Sequence, residues 1–247
     1  MDQRLTPVPV VARVTERIRD AVDLVGLYVG GSLAFGDYRP GISDIDVLAV
    51  IGGIDDAARD RLTAVHLAAI EADAVAGKLH CAYLLKDDAA DLTREHPYWG
   101  HGELYSRAVS GIARAEVLQD GIVVHGPPPA GLLPGLDDAA IRAAALDELR
   151  GYWSKAVHRR EAWLEDVYVD LGLITLARVE ATVTEGRLIT KREAIERLGH
   201  FDVPAGLAAQ IAARRRGETV VLSGAERAER AELARGLMLR GIERLLA

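Results

Sequence analysis

The chain has 247 residues, 49% of them apolar, and a formal net charge of -7. That length builds one large domain or two small ones, and the apolar content excludes wholesale disorder. The acidic balance argues against a protein that coats nucleic acid through a basic face and is compatible with a small cationic ligand. The single cysteine, Cys81, excludes an intrachain disulfide framework or zinc-finger spacing. No apolar stretch is long enough to span a bilayer, and Met1-Asp2-Gln3-Arg4 is not followed by an apolar signal core, so a cytoplasmic protein is expected.

From about Val8 to Asp23, apolar residues recur at helical spacing (Val11, Val14, Ile18, Val22), predicting an amphipathic helix. Leu24 to Val29 reads as a strand that ends at Gly30-Gly31-Ser32. A loop with Gly36, Pro40 and Gly41 leads to a second strand over Asp44 to Ile51. A helix is predicted over Asp55 to Ala76, a third strand over Leu79 to Leu85, and a further helix between Ser106 and Gln119. The run His125-Gly126-Pro127-Pro128-Pro129 cannot continue a helix and reads as a linker. Beyond it, the Ala-, Leu-, Arg- and Glu-rich chain predicts four or five helices, with a break around Pro204 and a possible extended run at Thr219 to Leu222. The expected class is α+β: a small mixed-sheet domain over residues 1–126, then an all-α helical-bundle domain over 127–247.

The residues that carry chemistry lie between the first two strands. In a strand, Asp44 and Asp46 point to the same face, where two carboxylates repel unless a cation sits between them. Mg²⁺ prefers oxygen ligands, often one or two carboxylates together with phosphates. Gly31 after a strand lets backbone approach a ligand closely, and Ser32 adds a donor at the start of a helix, where phosphate is favoured. Asp-x-Asp alone is usually a solvated strand end, and Gly-Gly-Ser alone is usually a turn. In this order on consecutive strands, they make a Mg²⁺-triphosphate site.

Gly31-Ser32, its spacing to Ser43-Asp44-Ile45-Asp46 and the apolar tail Val47 to Val50 resemble the polymerase-β-like nucleotidyltransferase superfamily. Within it, the chain is similar to the aminoglycoside adenylyltransferases that modify streptomycin and spectinomycin, which join such a domain to a C-terminal helical one. The resemblance extends to Ile174-Thr175-Leu176-Ala177-Arg178 and to Thr184 through Ala194. It implies transfer of AMP from ATP to a hydroxyl of a small, cationic, aminoglycoside-like acceptor, with release of pyrophosphate. It also implies that Asp44 and Asp46 hold Mg²⁺ and that Gly31 and Ser32 hold the β- and γ-phosphates. Arg178 and Lys191 match the Arg and Lys that reach the triphosphate across the family's interdomain cleft. Read without the resemblance, Arg178 is a helix residue snorkelling to solvent and Lys191 a solvated helix start.

Two positions depart from that pattern. The family's third carboxylate, the general base, is replaced by His80 in the best alignment. Three readings stay open: His80 is the base, another acid such as Glu103 serves, or the chain binds nucleotide without efficient transfer. On the acceptor side, Asp166 and Asp170 share a helical face and suit a cationic ligand, though not in register with the family's acids; a solvated helix face is the alternative. Trp99 and Tyr105 follow the third strand as candidates to line the acceptor site, while Trp153 and Trp163 have spacings typical of packing. An adenylyltransferase for another small molecule or a protein, and a non-catalytic nucleotide-binding regulator, are the other hypotheses.

Overall fold

The computed structural model describes residues 2–247. They form two compact units, one ending at Leu136 and one running Asp137–Ala247.

The first unit is a six-stranded mixed sheet with helices on both faces. Its strands are β1 (Leu24–Val29), β2 (Ile45–Ile51), β3 (Leu79–Leu85), β4 (Glu95–Gly100), β5 (Glu103–Ala108) and β6 (Ile122–His125), in spatial order β5-β4-β3-β2-β1-β6. β2 and β3 run parallel, which requires a crossover, and α3 (Asp56–Ala72) supplies it. All other pairs are antiparallel. Residues alternate between the faces, and each face has its own core. Ile45, Val47, Leu79, Cys81 and Trp99 join α1 (Val10–Ala21) and α3 on one side. Tyr28, Leu48, Val50, Ala82 and Leu84 join Val117 of α4 (Gly111–Asp120) on the other. Asp55 caps α3 by accepting from the Ala58 N–H at 2.7 Å, satisfying one of the free donors of that helix end.

Three strands escape the sequence pattern. β4 contains Pro97, a residue that normally argues against a strand. β5 is the sheet edge, and its start is set by a two-residue turn at His101-Gly102, both at positive φ, the geometry that suits the twist of a hairpin. Ser106 belongs to β5, so the helix expected from that residue begins only at Gly111. β6 occupies Ile122–His125, and the proline-rich stretch after it packs on the sheet: Tyr28 Oη donates to the Pro127 carbonyl at 2.8 Å, and Leu133 joins the core beside Tyr28.

The second unit is all helical: α5 (Asp138–Glu148), a π-helical turn over Leu149–Trp153, α6 (Ser154–Ala156), α7 (Asp166–Glu185), α8 (Lys191–Glu196), α9 (Ala205–Arg215) and α10 (Gly224–Leu246). α7 is its centre, burying Val169, Leu173, Leu176 and Ala177 against neighbouring helices. Trp153 and Trp163 are buried packing residues; a Cβ at Gly172 would come within 2.8 Å of the Trp163 ring, so glycine allows that approach. The break at Pro204 precedes α9, as expected. Thr219 to Leu222 is not a strand; it is an irregular lead-in to α10, whose start is fixed by a Ser223–Glu226 capping box. Among the described residues, no helix is long and apolar enough to cross a membrane.

Candidate active site

The candidate site lies where β1 ends and the parallel strands β2 and β3 begin. β1 turns at Gly30 into a single helical turn, α2 (Gly31–Ala34), and the Gly30 N–H donates to the Asp46 carbonyl at 2.9 Å, locking the turn to β2. Gly31 has φ +55, and a Cβ there would lie 2.1 Å from Asp46 Oδ2. No side chain fits between this backbone and that carboxylate. Ser32 is half-buried; its carbonyl accepts from the Asp37 N–H at 2.8 Å and holds the loop that follows. Ser43 closes that loop, accepting through Oγ from the Arg39 N–H at 3.0 Å, and so sets the approach of Asp44.

Asp46 falls on the same sheet face as Leu48 and Val50, beyond the end of that face's core, and Asp44 is two residues earlier, just ahead of β2. In the β2–β3 register, Asp46 stands opposite His80 and Ile45 opposite Leu79; one residue earlier, Asp44 faces Lys78, whose Nζ lies 3.6 Å from Asp44 Oδ1. Two anions on one strand therefore meet two basic side chains on the next. The β3–β4 register continues the row, so His80 is followed by Gly100 and then by Glu103 on β5. Glu103 is three strand spacings from Asp46, roughly 14 Å.

A Cβ at Gly100 would come within 3.1 Å of the Tyr98 ring, and the His101 ring stands edge-on to the His80 ring with centroids 4.9 Å apart. On the other side, Tyr98 Oη and His80 Nδ1 are 3.4 Å apart. Burial holds the His80 imidazole below its ordinary value, with the Asp44 charge acting against that shift, so the ring is neutral near pH 7. Burial, and next the charge of Asp46, push the Tyr98 hydroxyl well up. Tyr38 is raised by burial and then by Asp44, which places it in the same field. Tyr105 packs on Tyr98 at 5.4 Å, and the Arg107 guanidinium lies 4.8 Å over the Tyr98 ring. Tyr105 thus stays on the site's face, whereas Trp99 does not. The Trp99 ring is buried in the opposite core, stacked on His66 at 4.5 Å, because adjacent strand residues face opposite ways.

The donor set suits a hard divalent cation that takes most of its ligands from a bound phosphate. Two carboxylates share a face, with Gly31 backbone against one of them. Among the described residues, no group of three or more His, Cys, Asp or Glu could hold a metal on its own. Mg²⁺ commonly binds through one or two carboxylates with substrate phosphates completing the shell.

In the second unit, Arg178 lies on α7 and Lys191 at the start of α8. Arg178 Nε donates to the Ile189 carbonyl at 3.0 Å, fastening the loop before α8, and Lys191 opens that helix behind a Thr190–Glu193 capping box. Asp166 and Asp170 already hold arginines. Arg214 binds Asp170 bidentately at 2.8 and 2.6 Å, and Arg230 donates to Asp166. Burial raises the Asp170 carboxyl, and the Arg214 charge works against that shift. A cationic ligand on these carboxylates would have to share them.

Lys78, Tyr98, His101 and Arg107 were not singled out in the sequence. The signal for Lys78 was there: Lys78-Leu79-His80 has the same two-residue spacing as Asp44-Ile45-Asp46, on the parallel neighbour. The other three depend on the β4–β5 hairpin.

No protein-family model and no curated protein matches the sequence. Among solved structures, a spectinomycin adenyltransferase AAD(9) from Enterococcus faecialis, determined with ATP and spectinomycin, matches with TM-score 0.69 and 16% identity over 93% of this chain and 98% of its own. A STING-associated CdnE c-di-GMP synthase from Capnocytophaga granulosa covers 99% of this chain and 82% of its own, but at 12% identity and TM-score 0.30 it is too loose a likeness to build on. The chain shares its fold with that adenyltransferase, here a mixed-sheet unit followed by a helical unit.

Proposed function

We propose that this protein is a Mg²⁺-dependent nucleotidyltransferase that moves AMP from ATP to a hydroxyl of a small, aminoglycoside-like molecule. The observation that carries the reading is Asp44 and Asp46 on one face at the start of β2, with Gly31 backbone pressed against the Asp46 carboxylate. A glycine forced against an acid at a strand start, with Asp46 itself outside the core, suits a metal-bound triphosphate better than a structural role. The solved neighbour, whose structure holds ATP and spectinomycin, supports the substrate classes.

In this reading Asp44 and Asp46 hold Mg²⁺, which would neutralise phosphate charge as the α-phosphate is attacked. Gly31 and Ser32 position the β- and γ-phosphates, and Arg178 and Lys191 keep the triphosphate-binding role that the resemblance of their segments implies. His80 accepts the proton of the attacking hydroxyl: it is neutral, half-buried and opposite Asp46. Glu103, three strands away, is too distant to act beside the metal. Tyr105 and Tyr98 form an aromatic surface for the acceptor. Asp166 and Asp170 are available to a cationic acceptor only through the outer lone pairs left by Arg214 and Arg230.

The experiment is pyrophosphate release from ATP and Mg²⁺ across a panel of aminocyclitols and aminoglycosides. Acceptor-dependent release is expected, and Asp46→Asn is expected to abolish it. Release that survives Asp46→Asn would contradict the mechanism; binding of ATP with no release for any acceptor would favour a regulatory nucleotide-binding protein.

A further inference from the structure

Lys78 forms an ion pair with Asp44, and the nucleotide chemistry outlined above leaves it without a role. It sits at the last position before β3, opposite Asp44 across the parallel β2–β3 pair, with its ammonium 3.6 Å from Oδ1. Both side chains are partly exposed, at 40% for Lys78 and 45% for Asp44. The contact is an open, loosely held ion pair on a flexible four-carbon stem, not a buried structural one. We propose that Lys78 is an exchangeable counter-charge: it neutralises Asp44 while no metal is bound, and moves onto the triphosphate when a divalent ion takes that carboxylate. The inference rests on the nucleotidyltransferase reading.

The physical reason is charge balance at one spot. Asp44 and Asp46 lie two residues apart on one strand face, so without a metal their repulsion favours a nearby cation. Lys78 meets that need for Asp44, while Asp46 is held against Gly31 and stands opposite His80. Once a metal ion binds the carboxylates, the ammonium loses its partner. The ion arrives with a triphosphate carrying more negative charge than one divalent cation cancels, and the ammonium released from Asp44 is then a counter-charge for it. Lysine suits this better than arginine, because a compact charge with rotatable donors gives up one oxygen and takes another without a fixed fork geometry.

The two halves of the exchange predict opposite effects. Lys78→Met removes a competitor for Asp44, so binding of Mn²⁺ alone, read by electron paramagnetic resonance, should tighten about two- to fivefold. The same variant loses a phosphate contact, so binding of a Mg²⁺ complex of a non-hydrolysable ATP analogue, read by calorimetry, should weaken about tenfold or more. Lys78→Arg should restore much of the analogue affinity. Affinities that both stay at the wild-type value, or that both move in the same direction, would overturn the proposal. A wild-type chain that binds neither Mn²⁺ nor the analogue is a distinct result, overturning the nucleotidyltransferase reading itself.

Discussion

The backbone of Gly31 lies against the carboxylate of Asp46, so closely that a Cβ at position 31 would sit 2.1 Å from Oδ2. The end of one strand and the acid of the next are thereby fitted to each other before any ligand arrives. Gly31→Ala should force Asp46 to rotate away and strain a residue at φ +55. We expect a folded protein, destabilised by about 1 kcal/mol, with transfer reduced at least a hundredfold. Thermal melting and pyrophosphate release check the two parts; an alanine variant with wild-type turnover would detach this contact from catalysis.

The roles of His80 and Glu103 separate by position. His80→Ala should lower kcat by about two to three orders of magnitude, the range of a lost general base. Glu103→Ala, acting some three strands from Asp46, should leave kcat nearly unchanged and alter the acceptor KM at most. The reverse pattern in steady-state kinetics would make Glu103 the base.

Asp170 is held by Arg214 on both oxygens. If that pair is chiefly structural, Asp170→Ala leaves the Arg214 charge, 12% exposed, without its partner. A loss of about 2–3 kcal/mol and a fall in Tm of roughly 10 °C are expected, with little change in acceptor KM at temperatures where the variant is folded. An unchanged Tm with a raised KM would instead make Asp170 an acceptor ligand.

His66 sets an acid limit on stability. Its ring is 1% exposed, stacked on Trp99, with Nε2 and Tyr83 Oη 2.5 Å apart, and burial lowers its pKa to about 3. An unfolded histidine titrates near 6.5. The unfolded chain therefore takes up a proton that the folded chain refuses, and folding weakens as pH falls from about 6.5 towards 3, by several kcal/mol at the limit. Above pH 6.5 this contribution is fully present. In His66→Phe, denaturant melts between pH 7 and 4 should show a flatter decline than in the wild type. A slope equal to the wild type would assign acid lability to other groups.

Local sequence determined the parts whose physics is local. The period of α1, the apolar runs of β1 to β3 and the turn at Gly30-Gly31 follow from residues within a few positions of one another. The two aspartates share a face because a strand alternates. The mixed-sheet and helical organisation followed from the change in composition after the prolines. What only the tertiary structure decided involves residues that meet across strands or helices. β4 and β5 are strands despite Pro97 and Gly100, because pairing within the sheet outweighs weak local propensity. Register placed Lys78 opposite Asp44 and His80 opposite Asp46. The face on which a strand residue falls sent Trp99 into the core and left Tyr98 and Tyr105 beside the site. The arginines that occupy Asp166 and Asp170 arrive from helices more than 40 residues later in the chain, a separation at which no spacing rule operates.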